Sequence, residues 1–102
     1  MVKHVVMWKL KNVAKGKTKI ENAQIMKTLL EGLPEKIEEL SSAEVGINIL
    51  EGESEAIYDV VLTTVCNSRE DLQIYAKHPA HVRVIEFIGK VTDDRRVVDY
   101  EL

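Results

Sequence analysis

The chain is short of several things, and each shortage excludes a class of protein. It has no excess of positive charge: 14 Lys and Arg stand against 17 Asp and Glu, for a net charge of −3. That removes the electrostatic footprint of a nucleic-acid binder. It has one cysteine, Cys66, which excludes an internal disulfide framework and suits a reducing cytoplasm. No apolar run approaches the length of a membrane span. The run from Val5 to Trp8 is too short for a signal peptide and is followed by lysines. No internal repeat, linker or low-complexity segment divides the 102 residues, so residues 1–102 read as one domain with a modest core. Together these point to a cytoplasmic, single-domain protein with no nucleic-acid or membrane partner.

What is present alternates between strand and helix patterns. Val2 to Lys11 has period two, with His4, Val6, Trp8 and Leu10 on one face and Val5 and Met7 on the other. Asn12 to Lys17 reads as a polar loop. Thr18-Lys19-Ile20-Glu21 fits a capping box and predicts a helix to about Leu33, with a stripe of Ile20, Ala23, Met26, Leu29, Leu30 and Leu33. Pro34 interrupts it. Val45 to Leu50 predicts a second strand, in which Gly46 marks a bulge or a close backbone approach. Glu51 to Glu55 reads as an acidic hairpin tip and Ile57 to Cys66 as a third strand. Ser68 caps a helix to about Lys77, and Pro79 starts another to about Lys90. Asp93-Asp94-Arg95-Arg96 reads as a turn, and Arg95 to Leu102 as the last strand. The order βαββαβ predicts a ferredoxin-like α+β fold with a four-stranded antiparallel sheet.

Helices of such a fold cover one sheet face, and the other is expected to be polar. Here the first and third strands are apolar on both faces, and the chain has no spare element to cover the second. A second copy of the same sheet is the simplest cover, so the pattern predicts a homodimer through the sheet face, with a barrel between the two sheets.

The chemistry concentrates in Tyr75-Ala76-Lys77-His78-Pro79-Ala80-His81, which holds two of the three histidines. The residue before a proline is pushed out of helical geometry, so His78 reads as an N-cap and His81 falls in the first turn of the next helix. Partial positive charge at that end keeps His81 neutral near pH 7, which suits a general base. Tyr75 can reach the same space and position a carbonyl compound. The alternative is that both imidazoles cap backbone groups while Tyr75 packs. A metal reading needs a third ligand, such as His4 or Asp59, and no fixed-spacing metal motif is present. His4 is in phase with Val6 and Trp8 and reads as a semi-buried core histidine. Trp8 and Cys66 read as packing residues.

These residues resemble the stress-responsive dimeric A/B barrel family (Dabb). The likeness lies in the opening Val2-Lys3-His4-Val5-Val6-Met7-Trp8-Lys9-Leu10-Lys11 and in Tyr58-Asp59-Val60-Val61-Leu62 followed by Asn67 to Tyr75. The His78-Pro79-Ala80-His81 segment and the closing Val97-Val98-Asp99-Tyr100 complete it. The resemblance implies a ferredoxin-like dimeric α/β barrel and no single function. Some members are polyketide cyclases that close a ring by an aldol step without a cofactor, and others are linked to stress tolerance. Carried over by position, the catalytic pair is Tyr75 and His81, with His4 near the same cavity. The ligand-binding candidates are His4, Trp8 and His78, and no metal is expected. Where such a cyclase has a further pocket histidine, this chain has Val60. The expectation is a small organic ligand in a cavity between sheet and helices. A cyclase-like enzyme and a non-catalytic stress oligomer are the alternatives.

Overall fold

The first strand organises the rest. In the computed structural model, which describes residues 1–102, β1 (Val2–Leu10) buries Val2, Val6, Trp8 and Leu10 and leaves Met7 exposed. Successive strand side chains point to opposite faces, so the period-two pattern becomes an inside and an outside. The segment read as a loop carries a small ribbon, β2 (Val13–Ala14) and β3 (Lys17–Thr18). Its turn residues, Lys15 and Gly16, have φ of 53° and 73°, the pair of positive values that a two-residue turn between twisted strands requires.

The capping box forms as the sequence predicts and opens α1 (Lys19–Glu31). The Glu21 N–H donates to Thr18 Oγ1 at 3.3 Å, and the Thr18 N–H donates to the Glu21 carboxylate at 3.0 Å. The helix buries Asn22, Ala23, Met26 and Leu30, whereas Ile20 and Leu29 of the expected stripe stay exposed. The buried face is therefore turned toward Asn22, whose amide donates to the Ala14 carbonyl at 3.0 Å. Pro34 sits in a single 3-10 turn, Leu33–Glu35.

β4 (Leu40–Ile47) begins five residues before the expected strand, and Asn48 to Leu50 lie outside it. The bulge falls between Leu40 and Ser42, not at Gly46, and it shifts the phase of alternation that the sequence displays. Gly46 serves the close approach instead, since a Cβ there would lie 3.2 Å from the Val61 side chain. β5 (Val60–Cys66) starts later than expected, with Ile57 left in the loop. α2 (Arg69–Lys77) is capped by Ser68, α3 (Pro79–Val91) follows, and β6 (Thr92–Glu101) closes the chain. The expected turn at Asp93 to Arg96 lies inside β6. Pairing with β1 overrides its polar composition: Asp94 lies opposite Lys9 and Arg96 opposite Met7, and the Tyr58 hydroxyl donates to Asp94 at 2.6 Å.

The sheet order is β4-β5-β1-β6, with all neighbours antiparallel. This is the ferredoxin-like α+β fold. The buried cluster, including Val6, Trp8, Met26, Leu30, Leu62, Tyr75, Val84 and Ile88, lies between the sheet and the helices. On the opposite face the register groups Val5 with Val98 and Met7 with Val61, alongside Val65 and Tyr100. Met7, Val61, Val98 and Tyr100 are each more than a third exposed there.

Candidate functional site

The break between α2 and α3 builds most of the site. His78, before Pro79, is extended at φ −63° and ψ 136°, as sterics at the proline ring require. Its Nδ1 accepts from the Ala80 N–H at 3.1 Å, so its ring caps α3. It is not part of the cavity lining. His81, one residue beyond Ala80, is bonded through Nδ1 to the Ala76 carbonyl at 2.9 Å. A carbonyl only accepts, so Nδ1 carries the proton and the neutral ring keeps its lone pair on Nε2. The same bond satisfies one of the carbonyls that the end of α2 leaves without a partner. Burial pushes the His81 pKa below the usual imidazole value, and positive charge at His4, Arg95 and His78 pushes the same way against the Ala76 bond.

Tyr75, in the last turn of α2, is buried, and its hydroxyl has no hydrogen-bond partner. Its ring centroid lies 4.4 Å from that of His81 and 6.3 Å from that of His4, the latter edge-on. Burial pushes the phenol pKa well up, so the hydroxyl is a proton donor throughout the neutral range. His4 stands opposite Asp99 across the β1–β6 pairing, and its Nδ1 donates to the Asp99 carboxylate. That bond fixes the orientation of the His4 ring.

These groups enclose a cavity of about 130 Å³ between the sheet and the α2–α3 corner. Trp8 forms part of its wall, with aliphatic groups such as Leu30, Leu62 and Ile85, and Arg95 and Asp99 complete the polar side. A larger depression of about 480 Å³ beside the β4–β5 loop holds no histidine, carboxylate or guanidinium. Of the residues singled out by sequence, His4, Trp8, Tyr75 and His81 come together and His78 does not.

Asp59 is far from them. Its carboxylate accepts from the Leu10 N–H at 2.7 Å and faces Lys19 at 3.6 Å. Leu10 is six residues along β1 from His4, roughly 20 Å, so His4 and Asp59 do not share a ligand. Val60 is buried opposite Trp8 and Ile47 and places no imidazole in the cavity. Sequence reasoning missed Arg95 and Asp99. Their signal was the strand alternation itself, which puts residues 95, 97 and 99 on the helix-facing side once the run is read as strand.

The fold and the cavity define a ferredoxin-like α+β domain with an imidazole- and phenol-lined space under one sheet face. The model of the stress responsive A/B barrel domain (Dabb) matches residues 2–102, and the chain belongs to that family. A dimeric ferredoxin-like protein of unknown function from Bacteroides fragilis is 32% identical, with 99% of this chain and 95% of that one covered and a TM-score of 0.85. A dimeric ferredoxin-like protein of unknown function from Thermobifida fusca is 22% identical, with 99% and 90% covered and a TM-score of 0.79. A hydroxynitrile lyase from Passiflora edulis shares the fold at 12% identity, with 97% and 90% covered and a TM-score of 0.79. No curated protein matches the chain.

Proposed function

We propose that the chain works as a homodimer, sheet face on sheet face, and that each copy binds a small organic molecule in the cavity between its sheet and helices. The observation that carries the ligand reading is Tyr75, whose hydroxyl is buried without a partner and whose ring neighbours two imidazoles. An unmet buried hydroxyl costs about 1–3 kcal/mol, a cost that a purely structural oligomer has no reason to keep. The homodimer reading is supported by the apolar side chains of the uncovered sheet face and by the dimeric relatives from Bacteroides fragilis and Thermobifida fusca.

The chemistry that fits is proton transfer next to a carbonyl, with no cofactor. Nε2 of His81 takes a proton from a carbon or hydroxyl group of the ligand. The Tyr75 hydroxyl donates a hydrogen bond to the carbonyl oxygen, and His4, held by Asp99, flanks it. Cyclase, isomerase and lyase reactions all begin this way. The hydroxynitrile lyase relative supports a lyase within the reach of this fold.

The test is native mass spectrometry of freshly purified protein. A dimer carrying a discrete extra mass, lost in Tyr75→Phe, is the expected result, and that mass names the compound to assay for turnover with His81→Ala as the control. A monomer refutes the sheet-to-sheet reading. An extra mass that persists unchanged in both variants places the ligand elsewhere.

A further inference from the structure

Arg95 is the single lysine or arginine in the cavity lining, which is otherwise mostly apolar. Strand alternation sends it to the helix side of β6, opposite Trp8 of β1. Its neighbour Arg96 lies on the other face and pairs with Asp94 at 3.4 Å. The remaining ion pairs are Lys19–Asp59, Lys27–Glu31, Arg69–Glu101 and His4–Asp99. The Arg95 guanidinium enters none of them, and the only hydrogen bond this residue donates away from the strand ladder comes from its backbone N–H. Asp99, the one carboxylate in the lining, is engaged by His4. It forms no ion pair with Arg95. Arg95 is exposed overall yet lines the cavity. Its aliphatic stem therefore lies along the wall and its charge stands at the mouth.

We propose, building on the small-molecule cavity above, that the ligand is a small monocarboxylate. Its carboxylate pairs with the Arg95 guanidinium at the mouth, and its apolar body, about the size of one six-membered ring, lies against Trp8 and Tyr75. The planar fork of a guanidinium matches a carboxylate in two parallel hydrogen bonds. A single unpaired cation matches one negative charge and leaves a dianion half neutralised. The size follows from the volume: an engineered cavity of about 150 Å³ takes up benzene, close to the 130 Å³ here. The unpartnered Tyr75 hydroxyl supplies a donor to an oxygen on the body of the ligand. Arg95 is thus a specificity residue, selecting acids over their neutral analogues.

The experiment compares phenylacetate with phenylacetamide, which share a body and differ in charge. Binding to the intact protein is followed by calorimetry and by ligand-detected NMR for the wild type, Arg95→Gln and Arg95→Lys. Wild type is expected to bind the acid about tenfold more tightly than the amide, the exposed position of the charge keeping the gain moderate. The preference should shrink to roughly threefold or less in Arg95→Gln and be intermediate in Arg95→Lys. Amide affinity should change less than acid affinity across the three, and far-UV circular dichroism with a cooperative thermal transition shows that the variants fold. Equal binding of acid and amide by wild type overturns the carboxylate anchor and leaves the cavity standing. An acid preference that stays near tenfold in Arg95→Gln overturns the role of Arg95. Failure of both probes to bind at millimolar concentration overturns the anchor and the cavity together.

Discussion

His81 and Tyr75 hold the strongest consequences at the scale of single residues. The His81 pKa lies below its ordinary 6.5: burial is the first cause, the Ala76 bond opposes it, and nearby positive charge adds to it. The unfolded chain therefore takes up a proton near pH 6.5 while the folded chain does so only at lower pH. In that window the unfolded state holds more protons, so stability falls as pH drops through it and is level above about pH 7. Urea unfolding between pH 5 and 8 should show a smaller fall in His81→Gln than in wild type; parallel curves would contradict a desolvated His81. Tyr75→Phe removes a hydroxyl that has no partner. Its stability should be unchanged or up to about 1 kcal/mol higher, while ligand binding weakens. A loss above about 2 kcal/mol in thermal unfolding would mean that the hydroxyl is satisfied.

At the scale of elements, the junction of α2 and α3 sets the geometry. Pro79 removes one N–H and forbids helical geometry at His78, so the two helices meet at a corner, and His81 and Tyr75 face each other across it. The His78 ring, as a cap, is replaceable by another side-chain acceptor. His78→Ala should cost about 0.5–2 kcal/mol, and His78→Asn should recover most of that, since asparagine is a preferred N-cap. Neither should alter the affinity for a cavity ligand, because His78 lies outside the lining. A large fall in affinity in His78→Asn, measured by calorimetry, would return that imidazole to the site.

For the whole molecule, the uncovered sheet face decides the assembly. Met7 lies centrally on it, next to Val61 and Arg96, and is 40% exposed in the single chain. Met7→Lys would place an ammonium beside the like charge of Arg96 in the proposed dimer interface, at a cost of several kcal/mol. The variant should sediment as a monomer at micromolar concentration where wild type sediments as a dimer. An unchanged dimer would place the interface on another surface. The variant also separates assembly from binding, since the cavity opens on the helix side of the same sheet.

The order of elements, the capping box at Thr18, the caps at Ser68 and His78, and the two-sided apolar strands were all legible in the sequence. Each depends on residues within a few positions of one another or on a simple period. The sequence also placed Tyr75 and His81 together, because one short segment carries both. Other features were decided only by tertiary structure. The Leu40–Ser42 bulge moved β4 by five residues, since a bulge shifts a period that is read as unbroken. The run Asp93 to Arg96 became strand because pairing with β1 outweighs local polarity. That pairing brought Arg95 and Asp99, some ninety residues from His4 along the chain, into the same cavity. The alternation of β6 puts Arg95 and Asp99 on one face, but a contact between chain ends leaves no local pattern, so which cavity that face reaches is visible only once the strands are side by side.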